Sequence, residues 1–264
     1  MNAKNVKTHI VNWLLDYAKQ AGIKGFVIGI SGGIDSAVTS TLAAETGLPL
    51  LCIEMPIYQE DKQAERASKH ISFLKNKYSN VTTEEIELTN IYDSFLAALP
   101  IVIDDERWHM SLVNTRARLR MTTLYYFSAL NNFLVLGTGN KVEDFGVGFF
   151  TKYGDGGVDL SPIADLVKSE VYELGEALTI ISEIMKAPPT DGLWGDDRTD
   201  EDQIGASYPE LEWAMDILAK GIIDFNTFTE RQKEVLAIYT RMNRANQHKM
   251  KPIPTCIIPK EIKG

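Results

Sequence analysis

Ser31, Gly32, Gly33, Asp35 and Ser36 stand together in one short run, GISGGIDSAVTS (29–40), at the end of an apolar segment. Two glycines let a backbone turn sharply and approach a ligand without Cβ interference, two serines offer hydroxyls, and a helix starting just after adds N-terminal amides. The combination makes an anion cradle. A Walker-type loop places a lysine just before its Ser or Thr. Here Asp35 takes that place, and a carboxylate repels phosphate unless a cation lies between them. Mg²⁺, often held by one or two carboxylates plus phosphate oxygens, meets that need. The run therefore suits a nucleoside triphosphate whose pyrophosphate portion is held as a magnesium-bound leaving group. A plain strand-to-helix turn is the simpler alternative, and the position after a strand and before a helix favours the phosphate loop.

The surrounding elements must place this loop. Val6, Ile10, Trp13, Leu14 and Tyr17 recur at helical spacing, and GFVIGI (25–30) is a short β-branched apolar run, so a helix leads into a buried strand. SAVTSTLAAETG (36–47) reads as a helix closed by Gly47 and Pro49. LLCIEMP (50–56) predicts a second strand, EDKQAERASKHISFL an amphipathic helix, EEIELT (84–89) a third strand, and 110–131 a long helix. FLVLGTGN (133–140) is an apolar strand running into a second Gly-rich turn. The segment 144–162 is loop-like, LVKSEVYELGEAL returns to helix, 187–205 is a candidate lid rich in Pro, Gly and Asp, and two helices near 207–220 and 229–246 precede a Pro- and Lys-containing tail. Strands alternating with helices predict an α/β fold: a single doubly wound, mostly parallel sheet flanked by helices, with ligands beyond the carboxyl ends of the strands. Both Gly-rich turns fall there.

At 264 residues the chain can bury a sizeable core, and one domain spanning 1–264 is the expectation. A formal net charge of −9 argues against a protein whose task is neutralising a nucleic-acid backbone. The N-terminus lacks the uninterrupted apolar segment and small-residue cleavage site of a secretion signal, and no stretch reaches the length of a membrane span, so a cytoplasmic protein is expected. Cys52 and Cys256 form neither a CxxC pair nor a disulfide framework.

SGGIDS (31–36) resembles the SGGxDS loop of the N-type ATP pyrophosphatases, a family that activates a substrate oxygen by AMP transfer and then admits a nitrogen or sulfur nucleophile. NTRARLRM (114–121), LGTGNKVEDFGVGFFTKYGDGGVDLSPIADLVKSEVYELG (136–175), PPTDGLW (188–194) and TDEDQIGASYPELE (199–212) are similar, in order and separation, to the ammonia-dependent NAD synthetases. The likeness runs from about residue 25 to the tail, and one departure is GTGNKVE where other bacterial members read in the style of GTDHAAE.

The resemblance implies an adenine nucleotide α-hydrolase-like fold and amidation of deamido-NAD by ammonia, with ATP as co-substrate and AMP and pyrophosphate as products. It implies that Gly29, Ile30, Ser31, Gly32, Gly33, Asp35, Ser36, Thr138, Lys168 and Thr190 bind ATP and that Asp35 and Glu143 hold Mg²⁺. Arg118, Lys152, Asp159, His248 and Lys249 are implied to hold deamido-NAD. Lys168 and Asp155 are the implied catalytic pair, Lys168 supplying the cation that the loop lacks and Asp155 holding and deprotonating ammonium. Arg116 and Arg120 flank Arg118, and helical spacing cannot put all three on one face. Phe149 and Phe150 could wall a ring, although an aromatic pair is more often core. The family also implies a homodimer, with 110–131 a candidate interface. Free ammonia is the expected donor because no glutaminase domain is visible, and a separate glutaminase partner is left open. A tRNA-thiolating relative would want catalytic cysteines or a basic face, and a non-catalytic nucleotide sensor would not need Asp35, Glu143 and Lys168 together.

Overall fold

The computed structural model of the chain describes residues 1–59, 61–100, 105–190, 199–221 and 225–263. In chain order its elements are α1 (Ala3–Ala21), β1 (Gly25–Gly29), α2 (Ile34–Glu45), β2 (Leu50–Glu54), α3 (Asp61–Lys77), β3 (Val81–Glu85), α4 (Thr89–Ala97) and α5 (Glu106–Asn131). β4 (Phe133–Val135), a π-helical turn (Val142–Val147), α6 (Lys168–Leu178), α7 (Ser182–Met185), α8 (Asp200–Ile204), α9 (Tyr208–Lys220), α10 (Glu230–Met250) and α11 (Lys260–Lys263) follow.

The strands form one parallel sheet in the order β3-β2-β1-β4. Leu136 adds a parallel bridge to Leu160 just beyond β4. Strand alternation builds both faces. Phe26 and Ile28 of β1, with Leu50 and Cys52 of β2, meet Leu14, Val38, Leu42, Leu74 and Leu174 from α1, α2, α3 and α6. Val27, Leu51, Ile53 and Val135 point the other way, with Tyr92 of α4 and with Leu119 and Leu124 of α5 packed nearby. Each such side chain contributes about 1.5–3 kcal/mol by leaving water. The chain winds outward from β1 to β3 and then crosses to β4, so the order reverses between β1 and β4. That switch point opens a crevice at the strand ends, and both Gly-rich turns border it.

A second core lies apart from the sheet. Val142 and Val147 of the π-helical turn pack with Ile204, Tyr208, Leu211 and Ala214 of α8 and α9, and with Val235, Leu236 and Tyr239 of α10.

Several boundaries differ from the sequence reading. The third strand is Val81–Glu85 rather than 84–89, because Val81 pairs with Leu50 and Glu85 already faces Glu54 at the end of β2. Helix α2 starts at Ile34, so Asp35 sits in its first turn rather than before it. Trp13 and Tyr17 are exposed, their rings tilted against each other with centroids 5.9 Å apart, while Ile10 and Leu14 carry the buried face of α1. The loop-like stretch 144–162 overlaps the π-helical turn. Of the candidate lid at 187–205, residues 191–198 lie outside those described, as do 101–104 of the motif-free stretch 95–110.

Candidate nucleotide and acid-lysine site

β1 delivers the chain to the loop, and α2 carries it away. Gly32 has φ +79°, and a Cβ there would stand 2.5 Å from the Gln63 carbonyl oxygen of α3, so this position needs glycine on both counts. Gly33 is the extended N-cap of α2 and has no capping side chain. The serines brace the turn. Ser36 Oγ donates to the Gly33 carbonyl at 3.0 Å and lies 3.1 Å from Ser31 Oγ, and the Ser31 amide donates to Ser36 Oγ at 3.3 Å. The open N-terminus of a helix beside this braced turn is a place for an anion.

The loop borders a cavity of about 260 Å³. Every residue expected to bind ATP lines it: Gly29 to Gly33, Asp35, Ser36, Thr138, Lys168 and Thr190. So do Glu143, Asp155, Phe149 and Phe150. The cavity draws on β1, α2, the turn after β4, the π-helical turn and α6.

At its wall, Lys168 is only 3% exposed and ties two elements together. Its Nζ donates to Asp35 Oδ2 at 2.6 Å and to Glu143 Oε1 at 3.0 Å, and it lies 4.5 Å from the ring centroid of Tyr208. Burial alone would lower the lysine's pKa, but Asp35 and Glu143 outweigh it and hold the ammonium charged, above its ordinary range. Burial, reinforced by the Glu143 charge, raises Asp35 against the pull of Lys168. Tyr208 Oη donates to Glu143 Oε1 at 2.5 Å, and burial beside acids raises its pKa.

Two further carboxyls deepen the negative field. Asp144 sits over Gly139, where any side chain would collide with the carboxylate, and burial together with the charges of Glu143, Asp155 and Asp35 pushes it up to about 8. Asp155 accepts the Thr151 amide at 2.9 Å. Water reaches Asp155, but protein mass surrounds it at the cavity wall; burial first, with the Glu143 charge adding, pushes it up to about 6 against the pull of that amide. A smaller cavity of about 140 Å³ shares Gly137, Gly139, Asp144, Phe150, Asp155 and Val158 with the first.

The donor set fits a divalent cation bridging protein and phosphate. Asp35 Oδ1 takes only a 3.3 Å bond from Asn140, and Glu143 Oε2 takes none among the described residues, so both carboxylates keep acceptor capacity. No group of three or more His, Cys, Asp or Glu among the described residues is placed to hold a metal by itself. Two carboxylates suffice for Mg²⁺ when phosphate oxygens and water complete its shell.

The residues expected to hold the acceptor lie elsewhere. Arg118 is exposed on α5, and its Nη2 donates to the Lys152 carbonyl at 3.4 Å. Lys152 Nζ donates to the His248 carbonyl at 2.5 Å. Lys249 Nζ donates to the carbonyls of Gly148 and Phe150 at 2.9 and 2.8 Å, and burial lowers its pKa. The exposed His248 ring lies 3.2 Å from the Ala245 carbonyl. Asp159 uses both oxygens within the fold, accepting the Val135 amide at 2.8 Å and Tyr125 Oη at 3.0 Å. Lys249 also lines the smaller cavity.

The arginines of α5 do separate. Arg116 lies 5.1 Å from the ring centroid of Tyr92, Arg118 faces solvent, and Arg120 Nε donates to the Met55 carbonyl at 3.0 Å and lines the nucleotide cavity. Arg120 was thus missed by sequence reading, as were Asn140, Asp144 and Tyr208. Asn140 is fully buried, caps the amides of Val142 and Glu143 at 3.1 and 3.2 Å and donates to Asp35. Its signal was available, since asparagine before a helical turn is a favoured cap. Tyr208 had only its neighbours' SxxE capping pattern, Ser207 and Glu210, which marks a helix start and says nothing of the tyrosine.

Comparison with known proteins identifies the family. A sequence model of the family described as NAD synthase matches residues 6–253. The chain is 38% identical to the NH(3)-dependent NAD(+) synthetase of Carboxydothermus hydrogenoformans, over 93% of each chain. It is 35% identical to that of Methanosarcina mazei, over 96% of this chain and 99% of the relative. Among solved structures, the NMN synthetase of Francisella tularensis superposes with a TM-score of 0.82 at 32% identity, covering 98% and 99% of the two chains. The NH3-dependent NAD synthetase of Campylobacter jejuni, in complex with nitrate, gives 0.77 at 27%, covering 98% and 100%. With its fold, loop and acid-lysine wall in place, the chain belongs to the NAD synthase family.

Proposed function

We propose that this protein amidates deamido-NAD with ammonia, using ATP, to give NAD, AMP and pyrophosphate, the last step of NAD biosynthesis. The observation that carries the reading is the convergence of every expected ATP residue on one cavity whose wall is the Asp35–Lys168–Glu143 cluster. Family membership supports the reaction class.

A carboxylate is a poor acylating agent, so it must first gain a leaving group. Its oxygen bonds the α-phosphorus of ATP as the bond to the β-phosphate oxygen breaks, and pyrophosphate departs. Ammonia then bonds the carbonyl carbon of the acyl-adenylate, loses a proton, and AMP leaves with the electron pair of the broken C–O bond. The braced serine loop and the amides of α2 hold phosphate oxygens, and Lys168 fixes the carboxylates that face them. Asp35 and Glu143 would hold Mg²⁺, which when bound neutralises charge on the departing pyrophosphate. Asp155, near neutral in pKa, takes the proton from the ammonium nitrogen. The acceptor rests against Arg118, Lys152, Asp159, His248 and Lys249 in a homodimer, with α5 as an interface element. Among the described residues no helix is long and apolar enough to cross a membrane, and cytoplasmic residence completes the reading.

A second reading is favoured by the likeness to the Francisella structure, named an NMN synthetase: the acceptor is a mononucleotide rather than a dinucleotide. One experiment tests both. Pyrophosphate release from ATP and Mg²⁺ is followed with deamido-NAD, nicotinate mononucleotide or no acceptor, and with ammonium or glutamine. NAD formation that requires deamido-NAD and ammonium supports the first reading. Faster amidation of the mononucleotide replaces it with the second, and ATP binding without turnover of either acceptor would leave a sensor.

A further inference from the structure

The cavity has an electrostatic asymmetry. It is built for a polyanion, yet it is walled by Asp35, Glu143, Asp144 and Asp155, and its buried cation, Lys168, is committed to two of them. Arg120 is tied to the Met55 carbonyl. Arg66, on α3, also lines the cavity and stands directly against the phosphate loop.

Its Nε donates to the Gly32 carbonyl at 3.2 Å, which fixes the guanidinium beside the turn. Its terminal nitrogens, Nη1 and Nη2, have no hydrogen-bond or ion-pair partner among the described residues. The side chain is half-buried, and the helix beneath it is set by Gln63, 5% exposed and one turn before it, and by Ala67, 2% exposed and next in sequence. A guanidinium in this state is a pre-oriented fork, with one donor spent on positioning and the planar pair left for a bidentate acceptor.

We propose that Arg66 is a polyphosphate-binding residue: its Nη pair grips the β- and γ-phosphates of ATP, the part that leaves as pyrophosphate, while Nε keeps the Gly32 carbonyl turned away from that charge. The assignment rests on the ATP-binding reading of the cavity. A plain surface arginine would not be locked through Nε to the loop it faces.

The test is equilibrium binding of ATP, inorganic pyrophosphate and AMP to the full chain, without acceptor, in wild type, Arg66→Gln and Arg66→Lys, with melting temperatures measured in parallel. Charged hydrogen bonds of this kind predict that Arg66→Gln weakens ATP and pyrophosphate about tenfold to a hundredfold. AMP affinity and melting temperature stay at wild-type values, and Arg66→Lys falls between the two. Equal losses for AMP and pyrophosphate would overturn the proposal and leave Arg66 as a loop brace. Unchanged pyrophosphate binding would overturn it outright. If the wild type binds ATP but amidates neither acceptor, the functional reading fails while Arg66 is still judged by the same titrations.

Discussion

Two groups of cations in this molecule are held in opposite ways. Lys168 is buried against the carboxylates of Asp35 and Glu143, whereas Arg118, Lys152 and Lys249 rest on backbone carbonyls. The first arrangement pairs full charges out of water and is costly to undo. The second gives each cation a neutral acceptor that an incoming phosphate displaces readily. The nucleotide side is therefore finished within one chain. The proposed acceptor side is a set of cations parked on carbonyls, which under the proposed function an acceptor phosphate and a second subunit would meet.

Breaking the finished side has the largest consequences. Lys168→Met leaves two acids facing each other without their cation, so it costs about 3–5 kcal/mol of stability and abolishes pyrophosphate release. Thermal unfolding and the release assay read the two effects, and a stable, inactive variant would reduce Lys168 to a purely chemical role. Asp155→Asn comes next, with amidation slowed about 10²–10⁴-fold if the carboxylate is the base. In wild type that rate falls as pH drops through about 6, where Asp155 takes up its proton. The stability sign is opposite. A carboxyl raised from 3.8 to about 6 favours the fold below its unfolded value, and that support is lost as pH rises through 6, so Asp155→Asn gains stability relative to wild type at pH 7.5 and loses the advantage near pH 4. Equal stability differences at both pH values would refute the raised-carboxyl account.

His70 offers a quieter probe. It is fully buried on α3, 2.9 Å from Ser40 Oγ of α2, and burial pushes it down to about 4. A depressed histidine supports the fold above its unfolded value of 6.5, and the support drains away as pH falls towards 4, about 3 kcal/mol in all. His70→Phe flattens the acid limb of the stability profile and changes little at pH 7.5. On the parked side, Arg118→Gln raises KM for the acceptor about tenfold and leaves KM for ATP alone. A matching rise for ATP would mean the two regions are not separable.

The same contrast explains what the sequence made legible. The run 29–40 announced both its fold and its ligand because glycine turns, serine hydroxyls and helix amides act locally. β1, β2 and the start of β4 were readable because an apolar run of that length has few other uses. The third strand slipped by three residues, since VTTEE carries little apolar signal and its place is set by pairing with β2. Asp35 and Lys168 lie far apart in sequence, and only resemblance had joined them. Tyr208, Asp144 and Arg120 were missed for that reason: their roles exist only where distant elements meet. Asp159, expected at the acceptor, also fastens β4 to α5, a structural duty that its place in the sequence does not reveal.

The π-helical turn at Val142–Val147 gives this layout a mechanical meaning. Val142 and Val147 are anchored in the core formed with α8, α9 and α10, while Glu143, between them, belongs to the nucleotide cavity. A short irregular helix of this kind lets one peptide face two neighbours at once. Distance from the phosphate loop is therefore a poor guide to functional tolerance in this chain: an injury to the packing of α10, away from that loop, reaches Glu143 at the cavity wall through a single turn and would register as a nucleotide-binding defect.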